Sequence, residues 1–264
     1  MVTTFVINLD KDKERLSFMD SQLAASGLSY RRQPAILGKE YQATRAEYDE
    51  DAAVRATGHA LIPGEIGCAL SHVAVYKAIV AESIPFALIF EDDVEIPRHF
   101  KDIVERMVQA QPTIKFDYLL FDYVAVGIPF IRQWFRSVVI NTRARFQQSV
   151  LSALLCVLYA FIKMWYIVPM ALFEGFRNWY KQSSPGPVKF YRPVYFAGAY
   201  LVTLEGVKKL LALAQPVVYT ADQLPNQARI KSGLRFYCYA PRVVEQQKKV
   251  FGSSILDITG DQII

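Results

Sequence analysis

Five consecutive apolar residues, Phe86-Ala87-Leu88-Ile89-Phe90, run directly into three acids, Glu91-Asp92-Asp93. An unbroken apolar run of this length is the pattern of a strand covered on both faces. Such strands lie in sheets sandwiched between helices, so this run predicts a central strand of an α/β fold. Its carboxyl end opens into the crevice where such sheets bind ligands. Three carboxylates packed there repel one another unless a cation or hydrogen-bond donors neutralise them. A hard divalent ion shared between one or two carboxylates and substrate phosphates meets that need. It would also offset charge developing on a leaving diphosphate. The competing reading is a strand-end turn whose acids merely face water, because short motifs often match by chance.

The flanking segments extend the α/β pattern. Thr3 to Leu9 reads as a first strand. Leu16, Met19 and Leu23 recur at helical spacing, and Gly27 stops that helix. Ser29 to Gln33 reads as a second strand, and strand-helix-strand at this spacing predicts a parallel sheet. Residues 38–63 read as a long loop with a short helix, and a loop of that length is often functional. A helix follows from Glu65 to the segment closed by Pro85. Phe100, Ile103, Val104 and Met107 mark another. Phe116 to Phe121, Tyr195 to Thr203 and Arg235 to Tyr239 predict further strands, with a helix from Leu204 to Ala214. Pro241 then begins a polar tail.

Charge divides the chain unevenly. Val124 to Phe190 contains eight basic residues and one acid, Glu174, a net +7, which leaves the remainder at −2 of the overall +5. All three tryptophans, Trp134, Trp165 and Trp179, fall in the same stretch. Ser149 to Phe173 carries a single charge, Lys163, over 25 residues. That length can cross a bilayer, but Lys163 and Pro169 divide it and both flanks are basic. The positive-inside rule opposes one crossing. A helical segment lying in the membrane interface or a short re-entrant hairpin fits better, with aromatic residues at headgroup depth and Arg and Lys toward anionic lipid. The alternative is a buried helical pair or a dimer contact. Nucleic acid is disfavoured, since a phosphate-tracking surface needs charge throughout.

Cys68, Cys156 and Cys238 lie far apart and read as buried, reduced thiols. His59, His72 and His99 show no zinc-type spacing. No GxGxxG or Walker A loop is present, and the N-terminus opens into strand-like sequence without a signal-peptide pattern.

Six segments, in order, resemble glycosyltransferase family 25, the lipooligosaccharide-biosynthesis galactosyltransferases and their relatives. They are Phe5-Val6-Ile7-Asn8-Leu9-Asp10 with Arg15; Gly64-Glu65-Ile66-Gly67-Cys68-Ala69-Leu70-Ser71-His72; and Ala87-Leu88-Ile89-Phe90-Glu91-Asp92-Asp93-Val94. Gly198-Ala199-Tyr200-Leu201-Val202 with Gly206 and Lys208, Asp222-Gln223, and Pro241 with Gln246 complete the set. The match runs along residues 3–122 and 195–247, and residues 124–190 fit the family pattern poorly.

The resemblance implies a GT-A-like fold, in which a Rossmann-type sheet binds a nucleotide sugar and carries a helical, hydrophobic insert. Residues 1–123 would form the nucleotide-sugar half, 124–190 the insert, and 191–264 the acceptor half and tail. It further implies a bacterial, inverting enzyme that moves a sugar from a donor, UDP-galactose, onto a lipopolysaccharide or other lipid-linked glycan. Such an enzyme would work at the cytoplasmic face of the inner membrane. Asn8 and Arg15 would lie near the nucleotide, and Ser71 and His72 would line the donor side. Glu91, Asp92 and Asp93 would correspond to the DxD-type motif that holds Mn2+ or Mg2+, with Asp93 the direct ligand beside Asp92. An inverting transfer needs a general base. Asp222 follows an apolar run, matches the family's late acid and is expected to take that role, with Asp122 in reserve. Local alternatives stay open: Asn8 as a turn cap, Arg15 as a solvated helix residue, His72 as a hydrogen-bonded helix residue, and Asp222 as a helix N-cap. A catalytically inactive relative that binds glycan or protein partners is the rival to an enzyme.

Overall fold

In the computed structural model the described residues are 2–123, 184–190 and 193–247, with isolated positions at 149–151, 154, 158 and 181. The chain divides into two compact units, residues 1–123 with 187–264, and residues 124–186. The interface-lying helix or hairpin expected between 124 and 190 therefore falls almost wholly outside the described residues.

The first unit is built on one sheet. Its strands are β1 (Thr3–Asn8), β2 (Arg31–Pro34), β3 (Phe86–Glu91), β5 (Tyr118–Leu120), β6 (Gly186–Val188), β7 (Ala199–Thr203) and β8 (Phe236–Ala240). Their order across the sheet is β2-β1-β3-β7-β5-β8-β6. β1 runs parallel to β2 and β3, and β5 runs parallel to β8. The expected parallel sheet needs one correction: β7 is antiparallel to both its neighbours, β3 and β5. It enters the sheet centre from the far end of the chain, so the segments before and after the insert share one sheet.

Six helices occur among the described residues: α1 (Lys13–Ala25), α2 (Glu50–Thr57), α3 (Pro63–Ala81), α4 (Phe100–Ile114), α5 (Leu204–Ala214) and α6 (Leu224–Lys231). Side chains alternate across each strand, and each face meets its own helices. Phe5, Ile7, Ala87, Ile89, Tyr118, Leu120, Tyr200 and Val202 bury against α3, α5 and α6. Val6, Leu88, Phe90, Leu119, Phe121 and Leu201 bury against Met19 and Leu23 of α1 and against Phe100, Ile103, Val104 and Met107 of α4. This is why residues 86–90 are apolar without a break: both faces are covered. Burying one such side chain stabilises the fold by about 1.5–3 kcal/mol.

The punctuation follows the residues. Gly27 ends α1 at φ +68°, a left-handed position that glycine adopts without penalty. In the long loop, Asp49 caps α2 by accepting from the Ala52 N–H at 2.8 Å. One helix among those described, α3, is long and apolar enough to cross a membrane, but Leu70, Val73, Val75, Tyr76 and Ile79 are buried in the core. It reads as a core helix.

Candidate functional site

Parallel pairing of β1 with β3 sets Ile7 opposite Glu91, so the next residues, Asn8 and Asp92, leave the sheet side by side at its carboxyl edge. The Asn8 side-chain amide donates to Asp92 Oδ2 at 2.7 Å and to the Asp12 carbonyl at 3.0 Å. It is thus a turn residue and a site residue at once. Arg15, in the first turn of α1, donates through Nη1 to Asp92 Oδ1 at 3.2 Å. Arg15 is buried, so the solvated-helix alternative does not hold. Burial pushes the Asp92 carboxyl above its ordinary range and outweighs the opposing pull of Asn8 and Arg15. A buried ion pair whose attraction does not repay desolvation contributes little to stability.

Glu91 faces the opposite side of the acidic turn. Its Oε1 lies 3.4 Å from His72 Nε2 and 3.8 Å from Cys68 Sγ, and its Oε2 accepts from Gln246 Nε2 at 2.8 Å. Cys68 and His72 are four apart on α3 and share one helix face. His72 is buried, with Nδ1 2.7 Å from the Tyr200 hydroxyl, which lies 3.0 Å from that of Tyr76. Burial first, then the charges of Glu91 and Asp222, push the Cys68 thiol well above its ordinary range. Cys68 is half-buried, which corrects the expectation of a fully buried thiol, and Cys238 is buried.

Ser71 stitches the site floor. Its hydroxyl donates to the Gly67 carbonyl at 2.6 Å and accepts from the Ile36 N–H at 2.8 Å. Loop 35–39 is thereby drawn so close to α3 that a Cβ on Gly67 would sit 2.5 Å from the Ile36 carbonyl oxygen. An open cleft results, about 850 Å3 up to and including its mouth, with Arg15, Lys39, Ser71, His72, Glu91 and Asp93 among its walls.

The tail after Pro241 is more than a polar terminus. β9 (Glu245–Gln246) pairs with β4 (Val94–Glu95) just beyond the acids, and the Gln247 N–H donates to the Asp93 carbonyl at 2.7 Å. Gly198 makes room for this clasp: a Cβ there would meet Asp122 Oδ2 at 2.6 Å and Gln246 Nε2 at 3.0 Å.

Of the residues singled out from sequence, Arg15, Ser71, His72, Glu91, Asp92 and Asp93 line the cleft, with Asn8 behind Asp92. Asp222 does not line it, although its charge acts on Cys68. Asp222 accepts from the Thr220 hydroxyl at 2.5 Å, and the N-cap of α6 is Gln223 instead. Sequence reasoning missed Cys68 and Gln246 as site residues. The four-residue spacing of Cys68 and His72 on a helix was an available signal for the first. Gln246, 155 positions from Glu91, was marked only as part of the last segment of the family resemblance, with nothing to tie it to Glu91. Among the described residues, one set of three donors lies close enough to share a metal ion, the sulfur, nitrogen and oxygen of Cys68, His72 and Glu91; Asp92 and Asp93 line the cleft beside it.

Residues 1–225 match the pattern of glycosyltransferase family 25 (LPS biosynthesis protein). A "Glycosyltransferase 25 family member" of Drosophila pseudoobscura pseudoobscura is 31% identical over 127 residues, 44% of this chain and 20% of that protein. "Procollagen galactosyltransferase 1-A" of Xenopus laevis is 28% identical over 119 residues, 43% of this chain and 20% of that protein. "Inactive glycosyltransferase 25 family member 3" of Mus musculus is 38% identical over 53 residues, 20% of this chain and 9% of that protein. The alignments thus span a fifth or less of these relatives' lengths. The family pattern covers most of the chain, from the first strand through Asp222: the chain belongs to glycosyltransferase family 25.

Proposed function

We propose that the cleft binds a nucleotide-sugar donor and that the chain is an inverting, GT-A-type glycosyltransferase extending a lipopolysaccharide or other surface glycan, with UDP-galactose as donor. One observation carries this reading: Asn8, Arg15, Glu91, Asp92 and Asp93 converge at the carboxyl edge of parallel strands β1 and β3, beside an open cleft. In α/β sheets that edge is where nucleotides bind.

The oxygen donors of the acidic turn suit a hard divalent ion. Asp93 lines the cleft and would hold Mn2+ or Mg2+ beside Asp92, which Asn8 and Arg15 fix in place. When bound, such an ion supplies charge neutralisation to a departing diphosphate. The chain's own residues do the rest. Asn8 and Arg15 favour the charged form of Asp92 against its burial and hold its carboxylate in orientation. Asp222, steadied by Thr220, accepts the acceptor hydroxyl's proton as that oxygen bonds to the sugar carbon and the bond to the diphosphate breaks. The "procollagen galactosyltransferase" name of a relative supports a galactosyl donor.

A panel of UDP-sugars, titrated with and without Mn2+, tests the reading. Asp93→Ala is expected to weaken metal-dependent UDP-sugar binding about 100-fold, about 2.7 kcal/mol. Equal binding by wild type and variant, with and without metal, sinks the metal site. A second reading is a binding protein without turnover, favoured by relatives named inactive. Donor binding with no product from any acceptor, and no donor hydrolysis, would select it.

Contact with an anionic membrane surface belongs to the same proposal. Val150, Leu151, Leu154 and Leu158 are each 55–68% exposed, and 151, 154 and 158 fall on one face at helical spacing. In flotation with anionic liposomes, wild type is expected to rise with the lipid and a chain lacking residues 146–180 to stay at the bottom. Equal flotation removes the anchor.

A further inference from the structure

Sulfur, nitrogen and oxygen donors meet on one wall of the cleft. Cys68 Sγ, His72 Nε2 and a Glu91 carboxylate oxygen all lie within 4.8 Å of one another. Tetrahedral zinc, with bonds of about 2.3 Å to sulfur and about 2.0–2.2 Å to nitrogen and oxygen, spaces its ligand atoms roughly 3.3–3.8 Å apart. The His72–Glu91 and Cys68–Glu91 separations are 3.4 and 3.8 Å.

Each donor is also held from behind. Cys68 and His72 stand on α3, whose opposite side is locked into the core. The Tyr200 hydroxyl, 2.7 Å from His72 Nδ1, turns Nε2 toward Glu91, and Gln246 fixes the other Glu91 oxygen at 2.8 Å. Outer contacts of this kind orient ligands in zinc proteins. A thiolate beside an imidazole favours zinc over magnesium or manganese.

We propose that Cys68, His72 and Glu91 form a binding site for Zn2+, with three protein ligands and a fourth position facing the cleft. On binding, Cys68 gives its proton to solvent and ligates as thiolate, His72 ligates as neutral imidazole, and Glu91 as carboxylate. The two negative charges balance the ion. A water or substrate oxygen takes the open position. The site shares Glu91 and the cleft with the donor-binding reading, but its sulfur and nitrogen ligands are not those of the hard ion at Asp93, so the two ions are told apart by their ligands.

The test uses the full chain, stripped with a chelator and titrated with Zn2+ against a chromophoric competitor, then with Co2+ as a spectroscopic probe. One Zn2+ per chain is expected, together with a near-ultraviolet thiolate-to-cobalt charge-transfer band. Cys68→Ser is expected to abolish the band and weaken Zn2+ by on the order of 100-fold or more, and Tyr200→Phe to weaken it by about 10–100-fold. Circular dichroism checks that each variant is folded. Asp93→Ala is expected to change Zn2+ affinity less than about threefold. A cobalt complex without the thiolate band, unchanged Zn2+ affinity in Cys68→Ser, or loss of Zn2+ binding in Asp93→Ala each overturns the site. Zinc binding that persists where no UDP-sugar binds would leave this proposal standing and remove the transferase reading alone.

Discussion

Replacing Arg15 with methionine is expected to lower the unfolding free energy by about 3 kcal/mol and to abolish donor binding. Arg15 and Asp92 each keep only 10% of their side-chain surface in solvent. Removing the guanidinium leaves the carboxylate buried, with Asn8 as its remaining side-chain donor in that pair of contacts. The double variant Arg15→Met/Asp92→Leu is expected to regain most of the lost stability, because no charge is left to desolvate, while donor binding stays absent. Urea unfolding of the wild type, the single variants and the double variant measures this coupling. The pH dependence carries a sign. The Asp92 pKa is raised in the folded state, so the folded chain takes up this proton more readily than the unfolded one. The penalty for burying the charge is therefore present above the folded value and is relieved as pH falls through it. The deficit of Arg15→Met should shrink on the same descent. A single variant within about 0.5 kcal/mol of wild type at neutral pH would mean that Asp92 is not the desolvated charge described.

Asp117→Ala is expected to destabilise the fold by about 1–3 kcal/mol without a direct effect on the cleft. Asp117 is fully buried and accepts from Lys209 Nζ at 2.7 Å, from Arg235 Nε at 3.0 Å and from the Arg235 backbone N–H at 2.9 Å. Its own backbone accepts from Thr203 and donates to Arg235, both at 2.9 Å. One residue thus ties the start of β5 to the end of β7, to α5 and to the approach to β8. Burial works to raise its pKa, but the bonds from Arg235 and Lys209 prevail and hold the carboxyl below its ordinary value. A depressed carboxylate stabilises above its unfolded pKa, about 3.9, and that contribution is lost as pH falls through the folded value. The gap between wild type and Asp117→Ala in urea melts should be full at pH 7 and should close below pH of about 4. A gap unchanged in acid would assign the loss to packing instead of charge.

Much of the fold was legible because its signals are local. The 86–90 run announced a doubly covered strand, and the period of Leu16, Met19 and Leu23 announced a helix whose Met19 and Leu23 are fully buried. Gly27 marked a turn that needs a left-handed residue. The helix from Leu204 to Ala214 has the bounds expected for it. The antiparallel entry of β7 had no such signal, since direction is a property of the connection. That connection includes the insert, whose composition follows different rules from the sheet.

The same division applies to the cleft. Its acidic turn could be placed from sequence, because a buried strand ending in charge must open toward a ligand, a donor or water. Which acid does what could not. Asp92 is claimed by Asn8 and Arg15 through pairing 84 and 77 positions apart, while Glu91 turns to His72, Cys68 and Gln246. Adjacent side chains on a turn look alike in a string of letters and diverge in space, because backbone geometry sends them to different neighbours.

From its residues alone, this chain was bound to make a covered α/β sheet with carboxylates at one strand's exit, since apolar periodicity and turn chemistry act over a few residues. Only the tertiary structure decided that the exit is closed by a tail from the far end of the chain and that a cysteine and a histidine face the acids. Those outcomes depend on contacts between distant segments, which packing selects and no local propensity encodes.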